Sequence, residues 1–141
     1  MTPRRRLIHV LLALTVAAAM TGCSATPPTH GERWQIHAVY TVDTTPPLLP
    51  DDLARTTFIT LGTSTVVGST GCLLFTGDAH WSPQRDTVSF DVATRPEDCS
   101  GFAPHYSELI ESFLGPTLAV TFGDRSVKLE QDNGQILELI R

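Results

Sequence analysis

The chain has 141 residues, enough for one domain once a leader is set aside, and it is 41% hydrophobic and 18% charged, which excludes a disordered polar chain. Its formal net charge is −5; Arg4, Arg5 and Arg6 precede the body, which without them stands at about −8. An acidic body without a basic cluster excludes nucleic acid as the natural partner.

Met1–Arg6 is cationic, and Leu7–Met20 is an apolar run of 14 residues interrupted by His9 and Thr15. A bilayer-spanning helix needs about 20 apolar residues, so this length suits the core of a signal peptide better than an uncleaved anchor. The run ends in Ala19-Met20-Thr21-Gly22-Cys23-Ser24. That junction resembles the bacterial lipoprotein signal, with small residues before a cysteine. The resemblance implies removal of residues 1–22 and acylation of Cys23 with palmitate-type chains. It also implies a domain tethered to the cell membrane or the outer membrane on its extracytoplasmic side. Several acyl chains give stable anchoring where one does not. The plain alternative is a secreted protein without lipid. Residues 23–32, with Pro27-Pro28 and Gly31, read as a tether.

The body, 33–141, is taken in order. Arg33–Asp43 alternates, with Trp34, Ile36, Ala38, Tyr40 and Val42 on one face and Gln35, His37, Val39 and Thr41 on the other, which predicts a half-buried strand. His37 then faces outward. Thr44–Leu53 holds Pro46, Pro47 and Pro50 and predicts a loop, with Asp51-Asp52 in a solvated turn rather than a metal site. Thr57–Leu61 and Thr65–Val67 predict a hairpin around Gly62-Thr63-Ser64. Gly68–Gly77 is glycine-punctuated and β-like, Asp78–Trp81 continues the sheet, and Ser82–Asp86 turns into Thr87–Val92, with Val88, Phe90 and Val92 inward.

Ser100–Leu114 is the one predicted helix. Phe102, Tyr106, Leu109, Ile110, Phe113 and Leu114 form an apolar stripe, Ser100 is the expected N-cap, and Gly115-Pro116 stops it. Glu108 and Glu111 lie off the stripe, on a solvated face. Three alternating strands follow, carrying Leu118, Val120 and Phe122, then Val127 and Leu129, then Leu137 and Leu139, with turns at Gly123-Asp124 and Asn133-Gly134. The sum is a mainly β (α+β) fold: a curled antiparallel meander forming a partly open β-barrel, with one amphipathic helix packed across its mouth.

Trp34, Gly68-Ser69-Thr70-Gly71-Cys72, Gly77, Thr94 to Cys99, the helix and the closing strands together resemble the META domain, found in a heat-shock-associated bacterial lipoprotein family. The match spans Arg33 to Arg141; Leu73 stands where that family has asparagine. The resemblance implies a lipid-tethered envelope domain without established catalytic activity.

With Cys23 acylated, Cys72 and Cys99 remain, and in an exported protein two cysteines read as one disulfide. A redox pair is the alternative, without a C-x-x-C motif to support it. A zinc site with His80 or His105 is another, at spacings that match no standard pattern. Ser69, His80, His105, Asp78 and Asp98 offer the residue types of a hydrolase, but there is no G-x-S-x-G elbow. His80 beside Trp81 could instead line a small pocket. Gly68–Gly77 lacks the Lys-Ser/Thr ending of a phosphate loop. No catalytic residue, cofactor or metal is assigned. The expected function is a non-catalytic envelope module that engages another envelope protein or serves envelope stress. The alternative is a small apolar ligand binder using the barrel mouth.

Overall fold

The computed structural model describes residues 31–42 and 49–141. The leader, Cys23 and most of the tether lie outside the described residues.

Eight strands follow one another around a closed antiparallel barrel, each paired with its sequence neighbours and the last with the first. They are β1 (Glu32–Tyr40), β2 (Phe58–Leu61), β3 (Thr65–Ser69), β4 (Leu73–Trp81), β5 (Thr87–Pro96), β6 (Leu118–Phe122), β7 (Ser126–Glu130) and β8 (Ile136–Ile140). Two short helices, α1 (Asp51–Thr56) and α2 (Ala103–Glu111), interrupt the meander. The seams differ in length. β4 and β5 pair over nine positions, whereas β5 and β6 meet only at Thr87↔Ala119 and Val88↔Leu118. The barrel, expected to be partly open, is closed, and the β5–β6 seam is its shortest.

The strands form where apolar and polar residues alternate, and the inward set is the core. Ile36, Ile59, Val66, Phe75, Val88, Leu118, Leu129, Leu137 and Leu139 are all essentially sealed from solvent. Two glycines let the sheet curl this tightly. At Gly77 a Cβ would overlap the Asp91 carbonyl oxygen and the Val92 Cα, and at Gly68 it would overlap the Phe75 ring. Both are close approaches that a side chain forbids.

The register departs from strict alternation in β1. A bulge between Ile36 and Ala38 shifts its pairing with β8. An extra residue at a bulge moves every later side chain to the other face. Val39 is therefore buried with Ala38, Val42 is exposed, and Tyr40 turns to the β1–β8 seam. There the Tyr40 hydroxyl donates to the Glu138 carboxylate at 2.6 Å. That hydrogen bond, then burial, then the negative charge of Glu138 hold the Tyr40 phenol above its ordinary value. A phenol whose pKa is raised by folding adds stability while it stays protonated, and the contribution is lost as pH climbs through the folded value. In a Tyr106→Phe background, absorbance titration should place the Tyr40 midpoint above about 10, and Glu138→Gln should bring it down.

Asp51 and Asp52 do not form a turn. They occupy the first turn of α1, where carboxylates complement the unpaired amides of a helix start, and Leu53 behind them is buried. Six residues are too few to display a helical period.

α1, the turn from β3 to β4, α2 and the turn from β7 to β8 all gather at one end of the barrel. Gly31, the turn at 62–64 and Arg141 lie at the other, where Glu32 pairs in register with Leu61 and its carboxylate bonds the Arg141 guanidinium. Trp81 stacks on Phe122 at that open end, with ring centroids 6.1 Å apart.

Candidate functional site

The helix-capped end collects the residues the sequence singles out. Cys72 begins the run into β4 and Cys99 lies between β5 and α2. They are bonded, with Cα atoms 5.1 Å apart, and Glu97 N–H donates to the Cys72 carbonyl beside them. The disulfide expectation holds, and it pins the chain entering α2 to the start of β4.

Behind this staple runs a buried polar chain. Thr70 and Ser107 are both sealed from solvent, and their hydroxyl oxygens lie 2.6 Å apart. Ser107 donates to Glu111 at 2.9 Å, so its single proton is committed and it accepts from Thr70. Thr70 Oγ1 in turn accepts from the Leu73 amide at 3.0 Å. The chain therefore runs from amide to hydroxyl to hydroxyl to carboxylate, each bond polarising the next.

This chain explains how α2 sits. Its buried residues are Ala103, Ser107 and Ile110, continuing to Phe113 and Leu114. Tyr106 and Leu109 flank that face, partly buried. Phe102, expected in the stripe, is the residue before the helix starts and is 76% exposed. Ser100 does not cap the helix; Phe102 holds the N-cap position without a side-chain hydrogen bond. The helix is rotated relative to the apolar stripe because Ser107 can be buried once Thr70 meets it. Ser107→Ala removes the close acceptor of the Thr70 hydroxyl and leaves it only the Leu73 carbonyl at 3.5 Å, and should destabilise the fold by about 1–3 kcal/mol in denaturant melts. The Thr70→Val/Ser107→Ala double variant should cost less than the sum of the two singles.

Beside the staple lies a cleft of about 470 Å³ lined by Arg33, Arg55, Phe58, Leu74, Glu97 and Asp98. The Arg33 guanidinium stacks 3.7 Å from the Phe58 ring centroid. Among the described residues neither Arg33 nor Arg55 closes an ion pair. Four separate segments build this cleft, and sequence reading missed it as a site, although Ser69, Gly71 and Asp98 along its wall were singled out individually. A second concavity of about 340 Å³ lies over β3, β4 and β5, lined by Val67, Leu74, Thr76, Ala93 and Arg95 among others.

The other residues of the sequence analysis are scattered. Ser69 is buried at the end of β3, where its hydroxyl accepts from the Gly71 amide. Asp78 and His80 are exposed on β4, and His105 is exposed on α2 against the edge of Tyr106. His37 is only half exposed, at the β1 bulge. Trp81 is committed to a hydrogen bond from its indole N–H to the Gly62 carbonyl. Among the described residues, no group of three or more His, Cys, Asp or Glu side chains is placed to hold a metal ion. The mouth of the barrel is filled by α2, with Ile110 and Phe113 among the most buried side chains.

No family model matches the chain, and no curated protein matches it. Solved structures do. A protein from Burkholderia xenovorans, solved by NMR, aligns with a TM-score of 0.63 at 19% identity, over 80% of this chain and 83% of its own. A DUF4847 family protein from Bacteroides vulgatus, solved by crystallography, aligns with a TM-score of 0.59 at 13% identity, over 80% of this chain and 94% of its own. The likeness is one of fold.

Proposed function

We propose that this chain is a lipid-anchored, non-catalytic module of the cell envelope, a divergent member of the META group, that works by engaging another envelope protein through its surface. The filled barrel carries the reading. With Ile110 and Phe113 packed into the mouth, the interior is committed to the fold and recognition falls to the outside. This favours the module over the small-ligand binder.

Three further observations support it. The Cys72–Cys99 disulfide suits an oxidising, extracytoplasmic compartment. The lipoprotein-like junction at Cys23 supplies the anchor. Two arginines that close no ion pair among the described residues, two acids and an aromatic floor suit an extended polypeptide with charges of both signs.

The test is crosslinking of the full-length protein in membranes followed by capture. One protein should co-purify with the wild type, and Arg33→Glu/Arg55→Glu should lose it. A retained small molecule, with no protein partner, would overturn the reading.

A further inference from the structure

β5 is longer than the partner that closes the barrel against it. The strand alternates the directions of its peptide groups, and three bonds fix the phase. Ser82 N–H donates to the Thr87 carbonyl and Glu97 N–H to the Cys72 carbonyl, so the odd-numbered residues of β5 face β4. Val120 N–H donates to the Asp86 carbonyl, so the even-numbered ones face β6. β6, however, stops pairing at Val88. Beyond it, among the described residues, no backbone group pairs with Val92 or Thr94 on that side. Asp91, Ala93, Thr94, Arg95 and Pro96 are all exposed. An unpaired, exposed strand edge is a template for another strand.

The sequence of that edge is self-complementary. Asp91 and Arg95 flank Ala93 symmetrically and point to the same face. We propose that the free half of β5 pairs with the same strand of a second copy of this chain. The pairing is antiparallel and centred on Ala93. In that register Ala93 faces the partner's Ala93, and Asp91 faces the partner's Arg95 on both sides of the two-fold axis.

Val92 and the partner's Thr94, whose amides and carbonyls both point to the edge, then form a hydrogen-bonded pair, and symmetry repeats it. No other antiparallel self-register sets both charged residues opposite their complements. A shift by two residues places Asp91 opposite the partner's Ala93, or Arg95 opposite Ala93, and leaves the charges unmatched. Pro96 has no N–H and ends the ladder. Such an interface is isologous and closes at two copies. It does not depend on the lipid anchor. It is compatible with one, because a two-fold axis along the membrane normal sets both tether starts at one height.

The test places a cysteine on the axis. Ala93→Cys in the full-length chain puts two thiols opposite each other at a non-hydrogen-bonded pair, within disulfide reach. Mild oxidation should give a covalent dimer of twice the chain mass, absent from the wild type. Adding Asp91→Arg sets like charges across both pairs and should cut the dimer yield roughly tenfold. Adding Arg95→Asp to that variant reverses both signs and should restore it. All three positions are exposed, and an unchanged thermal midpoint confirms that the variants fold. Absence of the dimer, a dimer indifferent to the charge swap, or crosslinking to a different polypeptide would each overturn the proposal.

Discussion

Phe113→Ala should destabilise the domain by about 3–5 kcal/mol. The ring is 1% exposed and lies in the same core cluster as Ile110, Leu118 and Leu129. Its removal leaves a cavity between the helix and the barrel, where the strands on either side are fixed by closed pairing and cannot collapse to fill it. The melting temperature should fall by roughly 10–25 °C. The companion substitution Phe102→Ala, at a 76% exposed position, should change stability by less than about 0.5 kcal/mol. The contrast separates the face α2 buries from the one that the apolar stripe predicts. A near-neutral Phe113→Ala would mean that the helix does not belong to the core.

Cys72→Ser/Cys99→Ser is the second large effect. The bond closes 27 residues of chain, and loop entropy alone puts its contribution at about 3.5 kcal/mol. Two native features work with it. The chain it pins leads into α2, and the Thr70–Ser107 hydrogen bond can form only when α2 is seated. The β5–β6 seam is too short to hold that crossover by itself. The double variant should therefore unfold at lower denaturant, by an amount matching roughly 2–5 kcal/mol. Hydrogen exchange should quicken first in α2 and the 97–102 segment rather than in β7 and β8. Uniform loss of protection, or none, would contradict this placement of the staple.

Much of the fold is legible in the sequence because a half-buried strand writes its burial at period two. Leu137 and Leu139, Val127 and Leu129, and Val88 and Phe90 are inward as that period predicts. What escapes it is set elsewhere in the chain. The β1 bulge is dictated by pairing with β8, about a hundred residues on, so nothing local marks Val39 as inward and Val42 as outward. α1 is one and a half turns, with a single buried residue to announce it. Phe122 fits its strand's alternation yet is 51% exposed, because it serves the Trp81 stack at the open rim.

The candidate site divides in the same way. Cys72 and Cys99 are legible because, once Cys23 is set aside as the expected acylation site, parity leaves each one partner, and they are bonded. Ser107 is not, since its burial depends on Thr70, 37 residues earlier. The cleft is least legible of all. Arg33, Arg55, Phe58 and Glu97 look like ordinary surface residues until the strands and α1 bring them to one wall.

The claim that joins fold to function is an exported, lipid-tethered, disulfide-stapled domain. Intact-mass analysis of the protein extracted from membranes tests it most directly. The prediction is a chain that begins at an acylated Cys23, lacks residues 1–22, and carries Cys72 and Cys99 in oxidised form. An unmodified Cys23, a retained leader, or free thiols at 72 and 99 would contradict it.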